Sequence, residues 1–582
     1  MIHLLKYFKT LSLRPENAKE IRALILELAI RGRLTEEWRR ENPDVEPASV
    51  LLERIREEKA RLVKEKVIKK ERSIPEIAND LSKIPSTWDH CQLIEICSYI
   101  QRGKSPKYAE VSPVPVISQK CVQWYGFELD RARFITEESL EKYADERFLQ
   151  VDDLLWNSTG DGTVGRTILF PETDYEKVVA DSHVTVVRPF KELISPNYLW
   201  LFTAAPSTQI NVLGKVSGST KQTELGTGTV KALAFPLPPL PEQKAIVATV
   251  NRLLAEVDEL EQQTTRFQAL RQDYVTASLR ALTGEDSSGA WAALRPYFQA
   301  FFDQQNGVDR LREAVLELAV QGKLTARWRE ENPEVEPASV LLERIKEEKE
   351  RLVREKVIRK DKKLPEVDLE EVPFAVPDSW EWCRMGNLAK KLGAGSTPLG
   401  GKTAYSQTGI KFFRSQNIYN WGLKMDGIVF ITPEIHRKMK NTHVRPKDIL
   451  LNITGGSIGR STLISDDFDT ANVSQHVAIV RMIELECRQY IHKLVTSNYF
   501  QSIIMDVQVG VSREGLSMGK LKLFKVPLPP LSEQRAIVKI VDELMALCDQ
   551  LQERIEHRED VGADFLRASV RELLVATENK EA

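Results

Sequence analysis

The 582-residue sequence predicts an α+β protein: two similar mixed α/β domains separated by long antiparallel coiled-coil helices, related as a pseudo-twofold internal repeat. Three observations carry that expectation. Residues 41–70, ENPDVEPASVLLERIREEKARLVKEKVIKK, return at 331–360 as ENPEVEPASVLLERIKEEKERLVREKVIRK, with 25 of 30 identical at an offset of 290. Residues 235–247, FPLPPLPEQKAIV, return at 526–538 as VPLPPLSEQRAIV, and residues 21–38 resemble 311–328. Finally, each PLPPL opens a stretch whose apolar residues alternate spacings of four and three. A duplication at half the chain length means two similar halves, and that spacing is a coiled-coil seam.

Taken in order, residues 1–85 form an N-terminal helical segment. Ile21, Leu24, Ile25, Leu28 and Ala29 share a helical stripe that stops at Gly32. The two prolines of ENPDVEPAS make a loop, and Pro47 opens a helix from Ala48 to about Lys70. Leu51, Leu52, Ile55, Leu62 and Val63 line one side of it. Its other faces carry Glu, Arg and Lys with pairs such as Arg54 and Glu58, the pattern of a solvated strut.

The first domain, 86–235, has β texture: VPVIS, FELDRARFIT, DLLWN, RTILF and HVTVVRP alternate or run β-branched between turn residues, and a helix follows from Pro196. Residues 378–526 repeat that order with IKFFRSQNI, GIVFIT, DILLNIT, RSTLIS and HVAIVRM, then a helix near Arg488. Between the domains, residues 236–377 hold a coiled-coil helix over 242–282 and a copy of the N-terminal helices over 308–362. Residues 527–582 form the C-terminal coiled-coil helix. The seams run through Ile246, Val250, Leu253, Val257, Leu260, Thr264 and Phe267, and through Ile537, Val541, Leu544, Cys548, Leu551 and Ile555. Two matching seams in one chain most simply pack on each other, antiparallel because of the internal repeat.

Net charge is −2, with 42% hydrophobic and 29% charged residues. The balance is uneven. Residues 378–526 hold 20 Lys+Arg against 12 Asp+Glu, a net of +8, whereas residues 86–235 hold 15 against 19, a net of −4. The second domain therefore has the charge of a polyanion binder and the first does not. No run of eighteen apolar residues could span a membrane, and MIHLLKYFKTLSLRPEN lacks the pattern of a secretory signal. Six cysteines without a C-x-x-C pair suit reduced thiols in a cytoplasmic protein.

Catalytic motifs are missing. GSTPLGGKT (395–403) has Ser396 where a phosphate-binding loop needs glycine, and no zinc-protease, nucleophile-elbow or dinucleotide fingerprint occurs. What the two domains share is polar turns. NSTGDGTVGR (157–166) parallels NITGGSIGR (452–460), a glycine loop closed by an arginine. Such a loop could offer main-chain N–H groups and a guanidinium to phosphate, or could be a tight hairpin. Val116–Lys120 parallels Phe413–Asn417, with amide and basic side chains of the kind that bond base edges. His183 and His476, each preceding V-x-x-V-R, read as strand starters.

The duplicated frame, PLPPL-x-EQ-x-x-IV before each long helix, RGKSPKY (102–108), and GSTP with IKFFRSQNI in the second domain resemble the DNA-specificity subunit of type I restriction–modification systems. That resemblance covers nearly the whole chain. It implies that each domain is a target recognition domain reading one half of a split double-stranded DNA site. It implies too that the helices set the gap and dock two methyltransferase subunits, through which restriction/translocase subunits join. The chain itself would be non-catalytic and bind no cofactor, with S-adenosylmethionine, ATP and Mg on the partners. DNA-binding candidates are then Lys104, Lys107, Gln119, Lys120, Thr159, Arg166 and Lys221 in the first domain, and Arg414, Gln416, Asn417, Asn452, Thr454, Arg460 and Arg513 in the second. Lys104 and Lys107 are phosphate candidates; Gln119, Gln416 and Asn417 are base-edge candidates. The N-terminal helices would stand beside the far helix (533–574), and their copies beside the central one. A free-standing enzyme and a coiled-coil scaffold binding protein are the rival classes; the missing motifs oppose the first and the +8 balance the second.

Overall fold

A computed structural model describes residues 17–70, 84–110, 112–124, 126–160, 162–216, 223–284, 286–506 and 515–575. The chain divides into two compact units, residues 1–268 with 564–582, and residues 269–563.

In the first unit, α1 (Asn17–Ile30) buries Ile21, Leu24, Ile25 and Leu28. The chain reverses at Gly32, whose φ of +68° and close approach to Pro85 and Trp88 leave no room for a Cβ. The following helix, α2 (Ala48–Lys64), buries Ala48, Leu51, Leu52 and Ile55. It ends six residues before the expected Lys70. Lys66 turns left-handed (φ +59°) and the Val67 N–H returns to the Leu62 carbonyl, a terminus that caps the last carbonyls. Its outer face is a solvated strut, as its charge pattern implies: Arg61 bonds Glu58 and Glu65, and Arg54 reaches Glu46 rather than Glu58.

The first domain opens on β1 (Asp89–Gln92), then continues through β2 (Cys97–Arg102), β3 (Tyr108–Ala109), β4 (Pro115–Ile117), β5 (Arg133–Ile135), β6 (Leu154–Asn157), β7 (Thr167–Leu169), β8 (Val179–Ala180) and β9 (Val184–Pro189). After α3 (Pro196–Ala204), β10 (Ala234–Leu237) leads into α4 (Leu240–Thr283). One antiparallel sheet has the order β2-β9-β6-β7; a smaller one has the order β3-β5-β4-β8, with β4 and β8 parallel. Because side chains alternate along a strand, Leu154 and Trp156 of β6 join the core shared with the helices, while Leu155 joins the core under the smaller sheet. The domain's first and last strands pair, from Asp89 opposite Leu237 to Gln92 opposite Ala234. Its two ends are therefore neighbours.

The second unit begins within α4 at Ala269 and adds α5 (Ser287–Leu294), α6 (Gln305–Val320) and α7 (Ala338–Arg354). Its domain runs from β11 (Glu381–Arg384) through β12 (Ala389–Ala394), β13 (Ile410–Phe413), β14 (Ile418–Tyr419), β15 (Gly422–Leu423), β16 (Val429–Ile431), β17 (His443–Val444), β18 (Ile449–Asn452), β19 (Ser461–Leu463), β20 (Ala471–Val473) and β21 (Val477–Met482). It closes with α8 (Arg488–Thr496) and β22 (Lys525–Leu528) before α9 (Leu531–Val575). Sheet order β12-β21-β18-β19 repeats β2-β9-β6-β7, and β16-β13-β20 repeats β5-β4-β8. The fourth strand of the smaller sheet is β3 beside β5 in the first domain and β17 beside β20 in the second; the closing ladder recurs as β11 with β22. IKFFRSQNI is not one strand. Asn417 is wholly buried and its Oδ1 takes the Arg414 N–H at 3.1 Å, so the chain turns after Phe413.

The repeated Glu-Gln dipeptide has a physical role. Glu242, fully buried at the start of α4, accepts hydrogen bonds from Thr35 Oγ1 (2.7 Å), Arg39 Nη1 (2.5 Å) and Trp88 Nε1 (2.8 Å). Glu533 takes the same three bonds from Thr325 (2.7 Å), Arg329 (2.6 Å) and Trp380 (2.9 Å). One carboxylate thus ties the short helices, the entrance of the domain and the long helix. Gln243 Nε2 donates to the Pro238 carbonyl, and Gln534 Nε2 to that of Pro529, bracing the PLPPL segment.

The helix partnerships depart in part from those expected. Arg22 on α1 bonds Asp258 and Glu261 of α4, and Arg312 on α6 bonds Asp549 and Gln552 of α9. Helix α1 therefore stands beside α4 and α6 beside α9, while α6 also adjoins the far part of α4, as expected of it, since Leu311 and Ala314 share a core with Val275 and Leu279. Ile246, Val250, Leu253 and Val257 share a core with Ile21 and Ile25, whereas Phe267 is 63% exposed. Within the second unit, Leu551 packs with Val275, Leu279 and Leu282 of α4, and Cys548 and Ile555 pack with Val308. All six cysteines are buried free thiols.

Candidate nucleic-acid interface

At one end of the larger sheet in each domain, four loops converge. In the first domain they follow β2 (103–107), follow β4 (118–124), follow β6 (158–166) and precede β9 (181–183). Gly103 lies so close to the strand-end backbone that a Cβ would sit 2.0 Å from the Ala180 carbonyl oxygen; Gly395 would meet that of Val473 at 2.1 Å. Only glycine allows this approach. Gly395→Ala should destabilise the second domain by about 1–3 kcal/mol through overpacking. Gly456→Ala, with nothing near the added Cβ, should stay within about 0.5 kcal/mol; thermal melting compares the two.

Each rim is stitched by the same bonds. Thr159 Oγ1 lies 2.5 Å from His183 Nδ1, and Thr454 Oγ1 lies 2.5 Å from His476 Nδ1. Both imidazoles are exposed, so each ring is oriented by a threonine and keeps an outward edge. Ser105 meets Ser182 at 2.6 Å, where the second domain has Thr397 donating to Gln475 at 3.0 Å. The position beneath differs. Buried Asp181 accepts the His183 N–H at 2.8 Å, and burial raises its pKa; Ser474 occupies the equivalent place.

The predicted residues fall into three groups. Lys104, Lys107, Lys120 and Gln416 are exposed. The Lys104 amine donates to the Lys142 carbonyl at 3.3 Å and lies 5.6 Å from the Tyr143 ring centre; burial pushes that phenol up to about 12. Lys107 pairs with Glu138 at 3.2 Å. Gln119, Thr159, Arg166, Arg414, Thr454 and Arg460 are half-buried on the rim. Gln119 accepts from Thr163 Oγ1 at 3.2 Å, Arg166 bonds Gln123 and the Gly162 carbonyl, and Arg414 bonds the Gly427 carbonyl at 2.9 Å. Asn417 and Asn452 are interior. Their Nδ2 groups serve the Lys424 (3.0 Å) and Ser415 (2.8 Å) carbonyls, so neither amide donor is on offer to a base, and Asn157 is used likewise. Lys221 and Arg513 lie outside the described residues.

Sequence reasoning passed over two pairs. His183 and His476 immediately precede strands rather than starting them, and they cap the rim. Trp124 (51% exposed) and Trp421 (71%) sit on hairpins beside the glycine loops. A signal for them existed: Ser118-Gln119 and Ser415-Gln416 each precede a tryptophan at the same spacing, SQKCVQW and SQNIYNW.

These features define a class: a two-headed protein, each head a closed module with a polar loop rim, and no metal-binding cluster among the described residues. The type I restriction modification DNA specificity domain matches at residues 85–266 and again at 377–558, and the chain belongs to that family of specificity subunits, whose role is DNA recognition. The EcoAI type I restriction enzyme specificity subunit of Escherichia coli is 30% identical over 558 residues, spanning 92% of this chain and 90% of that one. The EcoEI specificity subunit of Escherichia coli is 28% identical, spanning 92% and 91%. The solved HsdS subunit from Thermoanaerobacter tengcongensis superposes with a TM-score of 0.44 at 15% identity, over 84% of this chain and 98% of that one. No helix among the described residues is long and apolar enough to cross a membrane.

Proposed function

We propose that each domain reads one half of a two-part double-stranded DNA site through its loop rim. The helices between the domains set the gap and dock methyltransferase subunits, through which restriction subunits join. The chain itself is a non-catalytic cytoplasmic protein, and S-adenosylmethionine, ATP and Mg belong to the partners. The observation that carries this reading is the rim built twice from one plan with different outer side chains. Rim groups bonded to each other, and the lysine after β2, should meet the phosphates, which position the domain; the amide side chains, and the lysine beside Gln119, should meet the bases, which specify the sequence. Thr159–His183 and Thr454–His476, with Lys104, are then phosphate contacts. Gln119 and Lys120 face bases in one half, Gln416 in the other.

Adenine-methylation mapping in cells with and without this chain tests the reading, since a two-part motif should vanish when the chain is deleted. Lys104→Ala should weaken binding to all sequences alike and lower the slope of log affinity against log salt by about one. Gln416→Ala should instead relax discrimination at one position of the second half, by about 1–3 kcal/mol. Affinities titrated over a salt series separate these outcomes, and a salt-independent affinity would refute DNA binding by the rims.

A further inference from the structure

In the second domain, the β14–β15 hairpin carries a three-layer stack. The Arg460 guanidinium lies 4.6 Å from the centre of the Tyr419 ring, and Tyr419 stacks on Trp421 with centroids 5.1 Å apart and planes 25° off parallel. The hairpin is held to the glycine loop from two sides: Asn452 Nδ2 donates to the Ser415 carbonyl, and the Ser461 N–H donates to Asn420 Oδ1 at 2.9 Å. Tyr419 and Gly422 pair across the turn. Trp421 thus projects from a braced two-residue turn with one face on Tyr419, and it is 71% exposed. An aromatic ring held in place and left in water forgoes its burial energy. It is suited to a partner surface because little conformational freedom remains to be lost on contact.

The first domain places a tryptophan on the equivalent hairpin, held by other contacts and without the ring stack. An isolated bridge between Val122 and Phe127 closes the hairpin, Arg166 holds it through Gln123, and Trp124 is 51% exposed. The neighbours changed between the copies: Gln123 and Asn420 are equivalent, and so are Lys120 and Asn417. The tryptophan did not. An indole kept in both readers, with a single N–H and no bidentate amide to choose a base, answers to something every half-site contains, and a particular base edge is not that. A π-face is, because every base has one.

We propose that Trp124 and Trp421 are wedges, each entering a base step of its own half-site and stacking on the base it uncovers. The inference rests on the reading of the rims as DNA-facing. Three features favour a nucleobase over a protein: the hairpin is continuous with the glycine loop, the second domain carries a net charge of +8, and exposed Lys424 follows the hairpin. Aromatic wedges that part a base step are an established way of gripping duplex DNA.

The test uses the full chain assembled with its partner subunits and duplexes in which 2-aminopurine replaces one base at a time across both half-sites. Binding should raise the fluorescence at one step of each half-site. Trp421→Ala should abolish the rise in the second half only and weaken binding roughly 5- to 100-fold, and Trp124→Ala should do so in the first half only. Trp421→Phe should keep most of both signals. Because the ring is exposed, thermal melting of Trp421→Ala should match the parent. The proposal is overturned if the alanine variants leave affinity and fluorescence unchanged, if the parent gives no rise at any step, or if the variants fail only in assembling with partner subunits. A parent complex that does not distinguish its site from unrelated DNA would instead overturn the reading of the rims.

Discussion

Glu242→Gln and Glu533→Gln should each destabilise their own half by about 3–5 kcal/mol, the cost of removing one partner from a buried ion pair. The substitution changes shape hardly at all, so the effect is electrostatic. The carboxylate of Glu242 receives three donors, two on Oε1 from Thr35 and Arg39 and one on Oε2 from Trp88. An amide has a single acceptor oxygen, so one side must set N–H against N–H. Turning the oxygen toward Arg39 leaves the Trp88 indole facing a donor; turning it the other way strands a guanidinium only 16% exposed. Each choice leaves a buried group unsatisfied. In a chain of two units one unfolding free energy is not well defined, so amide exchange is the suitable measurement. Glu242→Gln should lose protection along α1 and the β1–β10 ladder while the second unit keeps its own, and Glu533→Gln should do the reverse. Replacing Arg39 together with Glu242 by apolar residues of similar size should recover much of the loss. A change below about 1 kcal/mol in local opening energy would show that the clasp is not what joins helix to domain.

The clasp also shows where the sequence was informative and where it was silent. The repeated frame is legible because its residues answer to each other across both halves, so Glu242 and Glu533 recur with their partners Thr35 and Thr325, Arg39 and Arg329, Trp88 and Trp380. The seam of α9 is legible as a helical stripe, since Ile537, Val541, Cys548 and Ile555 are all buried. Periodicity reveals a buried stripe but not what covers it, so α6, adjacent through Arg312, was not foreseen as its neighbour. Rim residues resisted for another reason. Asparagine serves a tight turn and a base edge with the same amide, and only burial separates Asn417 and Asn452 from exposed Gln416. The histidines before β9 and β21 hid behind the strand pattern that follows them, although each faces a threonine more than twenty residues earlier in the chain.

Exchanging the first domain for that of another family member should replace one half of the recognised sequence and leave the other half intact. The reason lies in how the domain is closed. β1 and β10 pair along their whole length, and Tyr198 Oη donates to the Pro236 carbonyl at 3.0 Å, so entrance and exit share one ladder. A graft carrying residues 89–237 brings both strands with it. It meets the remaining chain at Trp88 and Glu242, which both copies of the frame possess. A graft ending at residue 235 would divide the ladder and part Pro236 from both His90 and the Tyr198 hydroxyl that donates to its carbonyl; that chimera should fold less well than the longer one. Each mismatched base pair costs about 1–3 kcal/mol, roughly additively, so several in one half-site amount to a preference of at least about a thousandfold for the new half over the old. Sequencing that reports methylated adenines directly would show it: the donor's half in place of the first, the second half and the gap unchanged. If a folded chimera alters both halves, or keeps the original first half, then recognition is not divided between the two rims.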